Sequence, residues 1–264
     1  MKQSLIFILL LGLFTISCKS DKKEVTTSEE TTEVQTADEN KYSLTAFEPS
    51  ASFNDAKIID FSYENGLFNF NVAEGDYVLG AQTSDADQKM CANSGKGQHI
   101  HLIIDNQPYA AKYTNSFEYD IEDGEHYMLA FLSRSYHESI KTQDAHVAKK
   151  ITVKDKSIVE VAPIEEPMVF YSRPKGTYTG TAETEKVMLD FYTINLELGK
   201  THTIVASING EEHQIDKWQP YYIQGLPLGE NEVTLNLSSM GEDDTNAPLN
   251  PVTRKFTLRG DTAE

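Results

Sequence analysis

The chain has 264 residues, with 41 Asp and Glu against 23 Lys and Arg, and a formal net charge of -18. Its basic residues form no block, so the electrostatic footprint of a nucleic-acid-binding protein is absent, and acidity of this size favours solubility. No Gly-x-Ser-x-Gly elbow, phosphate loop, paired-glycine dinucleotide fingerprint or His-Glu-x-x-His helix is present, which argues against an enzyme of those classes.

At the N-terminus, Met1 and Lys2 give a positive start. Leu5 to Ile16 form an apolar run broken only by Gly12 and Thr15, and Ser17-Cys18 follows. Residues 1–17 thus have the layout of a signal peptide, and the run is too short to span a bilayer core. Thr15-Ile16-Ser17-Cys18 resembles the lipobox of bacterial lipoproteins, with Thr15 where leucine is usual. That resemblance implies cleavage before Cys18 and lipidation of its thiol, so the expected partner is the membrane, through a lipid anchor. The competing reading is an ordinary secretory signal with an incidental cysteine.

Residues 18–45 read as a flexible acidic tether, because a stretch built largely from Thr, Glu, Ser, Asp, Val and Ala buries too little apolar surface to order itself. Lys19-Ser20-Asp21-Lys22-Lys23-Glu24 resembles the export tag that sends lipoproteins of the Bacteroidota to the cell surface. The expected location is therefore the outer membrane or cell surface, lipid-anchored, with the periplasmic face as the alternative.

Beyond the tether, short apolar runs punctuated by Gly, Asn, Asp and Pro, with no long helical periodicity, predict an all-β fold. An internal echo divides it in two. Phe117 to His126 align without gaps on Tyr222 to Asn231, and both runs turn at Gly-Glu into a strand, Tyr127–Leu132 in one and Glu232–Leu237 in the other. Upstream of each lies a strand ending in a tight turn, at Asp105-Asn106 and at Asn209-Gly210. The expectation is two tandem immunoglobulin-like β-sandwich domains, residues 46–156 and 167–260, joined by a linker over 157–166. One continuous sandwich is the alternative. Trp218 is expected in the core, with an aromatic ligand platform as the competing role.

Chemistry is expected in the first half. His99 and His101 stand at strand period two, hence on one face. His126 lies at the turn before the next strand, Met128 two residues on, and His137 after that strand. Cys91 precedes the pair and, once Cys18 is acylated, has no intramolecular disulfide partner. A buried inert thiol is its default, with an intermolecular bridge or a metal ligand as alternatives. Imidazole, thioether and thiolate together suit copper or zinc, although ordinary strand and turn histidines explain the same residues and no cofactor is demanded. With the tight turns aligned, Thr203 and Val205 stand opposite His99 and His101, and Asn231 opposite His126, which argues that the fold does not require those histidines, against the alternative that a shift of register brings His202 opposite the pair.

A second candidate site uses scarce cations. Arg134, Ser135 and Lys141 follow a strand and are expected to begin an exposed loop, and Arg173 and Lys175 form a similar cluster near the start of the second domain. Guanidinium, ammonium and hydroxyl suit a phosphate or carboxylate, against the reading of solvated loop cations paired with nearby acids.

Lys89 to Ser94, Gly95 to His101, Leu129 to Ser139 and Trp218 to Tyr222 resemble a family of Bacteroidota envelope lipoproteins whose members are often labelled phosphopeptide-binding. The resemblance covers about Thr45 to Gly260 and implies a role for the Arg134 and Arg173 clusters. The functional expectation is a membrane-anchored, non-catalytic binding module for a phosphopeptide or another protein or glycan ligand. The alternative is a copper- or zinc-binding envelope protein using the histidines of the first domain.

Overall fold

A computed structural model of the protein describes residues 40–240 and 247–261. The expected signal peptide, Cys18 and the expected tether as far as residue 39 lie outside the described residues. Among the described residues no helix is long and apolar enough to cross a membrane.

The fold is all-β. After β1 (Ser43–Ala46), the first half contributes β2 (Ile58–Glu64), β3 (Leu67–Val72), β4 (His99–Ile104), β5 (Ala110–Lys112), β6 (Ser116–Glu118), β7 (Gly124–Ser133), β8 (His146–Lys154) and β9 (Ser157–Ala162). The second half contributes β10 (Met168–Arg173), β11 (Gly176–Thr179), β12 (Val187–Ile194), β13 (His202–Ile208), β14 (Glu211–Ile215), β15 (Tyr221–Gln224), β16 (Gly229–Ser239) and β17 (Val252–Arg259). Each half is a sandwich of two sheets: β2-β3-β6 over β5-β4-β7-β8-β9 in the first, and β1-β15-β12-β10 over β11-β17-β16-β13-β14 in the second.

Local chemistry sets the hairpins. Asn65-Gly66 and Asn209-Gly210 both hold two successive positive φ angles, 52° and 81° in one, 48° and 89° in the other. That is the backbone a two-residue turn between right-twisted strands requires, and Asn and Gly adopt it at least cost.

The internal echo is a structural repeat. In the first half His99 pairs with Ser133 and Ile104 with Met128; in the second, Thr203 pairs with Ser238 and Ile208 with Val233. Those are the equivalent positions when the two tight turns and the two Gly-Glu turns are superposed, so the two sandwiches share one strand register.

Both faces of the central sheets are buried, because the sandwiches pack on each other as four layers. Along β4, Ile100, Leu102 and Ile104 enter the first core, while Ile103 points the other way. Along β10, Val169 and Tyr171 enter the second core, while Met168 and Phe170 point back. Ile103, Leu129, Phe131, Met168, Phe170 and Tyr192 form a third buried cluster between the halves. At about 1.5–3 kcal/mol for each fully buried large apolar side chain, such a seam holds the two sandwiches as one body. Polar contacts cross it too. The Asn106 amide donates to the Val169 carbonyl and accepts from the Tyr171 N–H, both at 2.8 Å. Asp190, fully buried, accepts from the Ser139 N–H and pairs with Lys141.

Three local expectations differ from the structure. Ser157–Ala162, read as part of a linker, forms β9 antiparallel to β8; Asp155-Lys156 makes the turn, with φ of 49° and 59°. Ser43–Ala46, read as the end of the tether and the start of the first domain, pairs with β15 of the second sandwich. Trp218 is half-buried at the seam rather than in one core, its ring edge-on to Tyr192 at 5.1 Å and its indole N–H donating to the Phe191 carbonyl.

Candidate metal centre

The alternation that sends Ile100 and Leu102 into the first core sends His99 and His101 to the seam, where both are fully buried. The chain leaving β7 closes a tight loop, in which the Arg134 N–H donates to the Glu138 carbonyl and the His137 N–H to the Arg134 carbonyl. His137 takes a φ of 68° in that loop, a left-handed conformation uncommon for non-glycine residues and adopted most readily among them by Asn, Asp and His. This turns its ring back onto the pair. His99 Nε2 lies 2.7 Å from His101 Nε2 and 3.0 Å from His137 Nδ1, and the last two atoms are 3.4 Å apart. Three ligand nitrogens thus face one point.

Their outer contacts are neutral. His99 Nδ1 donates to the Gly97 carbonyl at 2.8 Å, which leaves the Nε2 lone pair facing the other two rings. His101 Nδ1 is 3.4 Å from the Ser172 hydroxyl. Burial, with Arg173 and Lys175 nearby, holds the His99 imidazole down at about 4. Burial, the neighbouring histidines and the same two cations hold His101 well below the usual imidazole range, and burial followed by Arg173 does so for His137. All three are therefore neutral at pH 7, the state a metal ligand needs. Metal–nitrogen bonds of 2.0–2.1 Å would set the three nitrogens about 3.3–3.5 Å apart, so an ion would need the 2.7 Å His99–His101 pair to open by roughly 0.7 Å.

Two residues that spacing did not single out complete the wall. The Tyr109 ring stacks on His101 with centroids 3.7 Å apart and planes 9° off parallel, and its hydroxyl is 3.4 Å from His137 Nδ1. Tyr113 packs on His99 at 4.9 Å. The one signal for them is the β4–β5 pairing, His101 opposite Ala111, which folds residues 109–113 back over the histidines.

The other candidate ligands lie elsewhere. His126 is seven residues along β7 from Ser133, the partner of His99, or roughly 23 Å at about 3.3 Å per residue. Its nitrogens are engaged by Asp105 at 2.5 Å and the Glu122 carbonyl at 2.9 Å. Met128 is buried in the first core, on the opposite face of the sheet from His99. Cys91 packs with Phe47, Tyr136, Met188 and Tyr222, and burial pushes its thiol up to about 12, so it stays protonated. The candidate ligand set is therefore His99, His101 and His137, and His126 lies outside it.

The basic residues divide into two kinds. Arg134 and Ser135 are buried, not exposed. Arg134 donates to the Ala51 carbonyl and sits 3.4 Å from Glu138; Ser135 exchanges hydrogen bonds with Thr83; Lys141 is paired with Asp190. Arg173 and Lys175, in contrast, have no ion pair with a carboxylate among the described residues. Arg173 donates to the Tyr136 carbonyl at 3.3 Å and the Tyr178 hydroxyl at 2.9 Å, and its buried Nε has no partner. Lys175 Nζ donates to the Tyr109 carbonyl at 2.8 Å and lies 3.9 Å from the centroid of the Tyr109 ring.

The sequence matches no protein-family profile, and no curated relative matches it. Among solved structures, the chain aligns with fibronectin(III)-like modules of CbhA from Clostridium thermocellum at 13% identity. That alignment covers 84% of this chain and 97% of that one, with a TM-score of 0.28. The central fibronectin-III array of RIM-binding protein aligns at 12% identity over 82% of this chain and 73% of that one, with a TM-score of 0.26. A Bacteroides ovatus mixed-linkage glucan utilization protein, SGBP-B, solved with a mixed-linkage heptasaccharide, aligns at 11% identity over 83% and 48%, with a TM-score of 0.16. The fold assignment rests on the strand topology given above.

Proposed function

We propose that this protein is a lipid-anchored envelope lipoprotein, held through Cys18, that binds one copper or zinc ion through His99, His101 and His137 and stores or delivers it without catalysis. The observation that carries the reading is the mutual approach of three neutral imidazole nitrogens within 3.4 Å at a buried seam that two of the rings share with apolar residues. Burying three imidazoles costs free energy unless their polar atoms are used, and an ion uses all three at once. The internal repeat supports it further, because the second half builds the same strand pair with Thr203 where the first has His99.

A phosphopeptide, protein or glycan ligand has less support. Arg134 and Lys141 already spend their charge on Glu138 and Asp190, so the first basic cluster has little left to offer an incoming anion.

The test is elemental analysis of the chain purified without chelator, beside a His99→Ala, His101→Ala variant and a His137→Gln variant of unchanged circular dichroism. The expected outcome is near one copper or zinc per chain, lost in both variants. Folded protein that takes up no metal when either ion is supplied would remove the reading.

A further inference from the structure

We infer that the centre takes copper in its monovalent state in preference to zinc or another divalent ion. This rests on the metal-binding reading above and concerns which ion the site is built to hold.

The argument is one of charge and coordination number. All three protein ligands are neutral imidazoles. The outer nitrogens of His99 and His101 meet a carbonyl and a hydroxyl, Gly97 and Ser172, so neither of these two contacts brings a negative charge to the site. The surroundings are cationic. Lys175 Nζ sits 3.9 Å from the centroid of Tyr109, and that ring lies 3.7 Å from His101, so the ammonium is two stacking distances from a ligand. Arg173 follows Ser172 directly and is fully buried, with no carboxylate paired to it among the described residues. In a chain carrying 41 acidic residues, a metal pocket flanked by two unpaired cations is a departure from the surrounding composition.

A divalent ion would add two charges to that pocket with no anion to offset them, and a monovalent ion adds one. For a separation on the order of 9 Å and an effective dielectric of about 20, one cation disfavours a second charge by roughly ten- to thirtyfold in affinity. Structural zinc is almost always four-coordinate. A further oxygen beside the three nitrogens is the neutral Tyr109 phenol, 3.4 Å from His137 Nδ1. A closed-shell monovalent copper ion accepts three nitrogen ligands without a fourth.

The experiment uses the full chain, loaded anaerobically, in competition with a chromogenic cuprous chelator and, separately, a chromogenic zinc chelator. Lys175→Met is the comparison, since it keeps the aliphatic stem and removes a charge that touches no ligand. One cuprous ion per chain is expected, with zinc bound at least a hundredfold more weakly and that gap narrowed roughly tenfold in Lys175→Met. Zinc bound as tightly as cuprous copper, or a gap that Lys175→Met leaves unchanged, overturns the inference while metal binding itself stands. No uptake of either ion overturns both.

Discussion

Asp105 and Asn209 hold the same corner in the two sandwiches. Both have a φ of 48°. The Asp105 carboxylate accepts from the Tyr127 N–H, and the Asn209 amide oxygen from the Glu232 N–H, each at 2.8 Å. The residue before each of those N–H groups closes the corner: His126 on Asp105 in the first half, Asn231 on Asn209 in the second.

His126→Asn, which installs the second half's solution in the first, should therefore leave metal content unchanged and alter only the pH dependence of stability. Burial lowers the His126 pKa, but the hydrogen bond and charge of Asp105 outweigh it and raise the group overall. Its contribution is then fully present below the unfolded value near 6.5 and fades as pH rises through the folded value. The pair is partly buried, its side chains 14% and 32% exposed, so the effect should be on the order of 1 kcal/mol. Urea midpoints measured from pH 5 to 9 should fall less steeply on the alkaline side in the variant, and loss of metal in it would contradict the ligand assignment.

The buried triad gives the opposite sign. His99, His101 and His137 are depressed in the folded state, His99 to about 4, so the metal-free protein is stabilised above the unfolded value near 6.5 and loses that stability as pH falls. Each such group adds a slope of up to about 1.4 kcal/mol per pH unit. Chemical denaturation of metal-free protein should show lower stability at pH 5 than at pH 7, with the difference reduced when all three are replaced by Gln. A flat profile would mean that the rings are solvated.

Across the seam, Asp190→Ala should be costly, because it strands Lys141 and the Ser139 N–H in a buried place. Loss of about 3 kcal/mol is expected, most of it recovered when Lys141→Met is added. Equal destabilisation in the single and double variants would show that the pair contributes through packing alone.

Phe170→Ala, at the centre of the cluster between the halves, should cost about 3–5 kcal/mol. It should lower one shared calorimetric transition rather than separate two. Independent melting of the sandwiches would contradict the four-layer body.

Much of this architecture is written locally. Asn65-Gly66 and Asn209-Gly210 turn where such dipeptides must, alternation along β13 and β16 sorts inward from outward residues, and period two in a strand puts His99 and His101 on one face. What escaped sequence reasoning depends on partners far along the chain. His126 stood closer in sequence to strand features than His137 did, but only the register of β4 against β7, and a left-handed residue in the following loop, decide which ring reaches the pair. Arg134 and Ser135 look like loop residues because nothing adjacent to them announces that Ala51 and Thr83 will cover them. Ser157–Ala162 carries a glutamate amid exposed valines, the pattern of an edge strand, which composition alone cannot tell from a linker.

The pairing of β1 with β15 has a consequence for the order in which the chain comes together. Residues 43–46 and 252–259 belong to the same sandwich, so the first sandwich is an excursion inserted within the second. A polypeptide emerging N-terminus first can close the β2 to β9 half on itself while β1 waits for β15, whose first residue, Tyr221, is Ala46's partner. Joining strands so far apart in sequence is slow, since the entropy of closing the loop is lost before any contact forms. The prior folding of β2 to β9 shortens that loop by turning most of its length into a rigid bridge. The histidine half can then assemble first, with the half that lays Ser172, Arg173 and Lys175 against it closing over it afterwards.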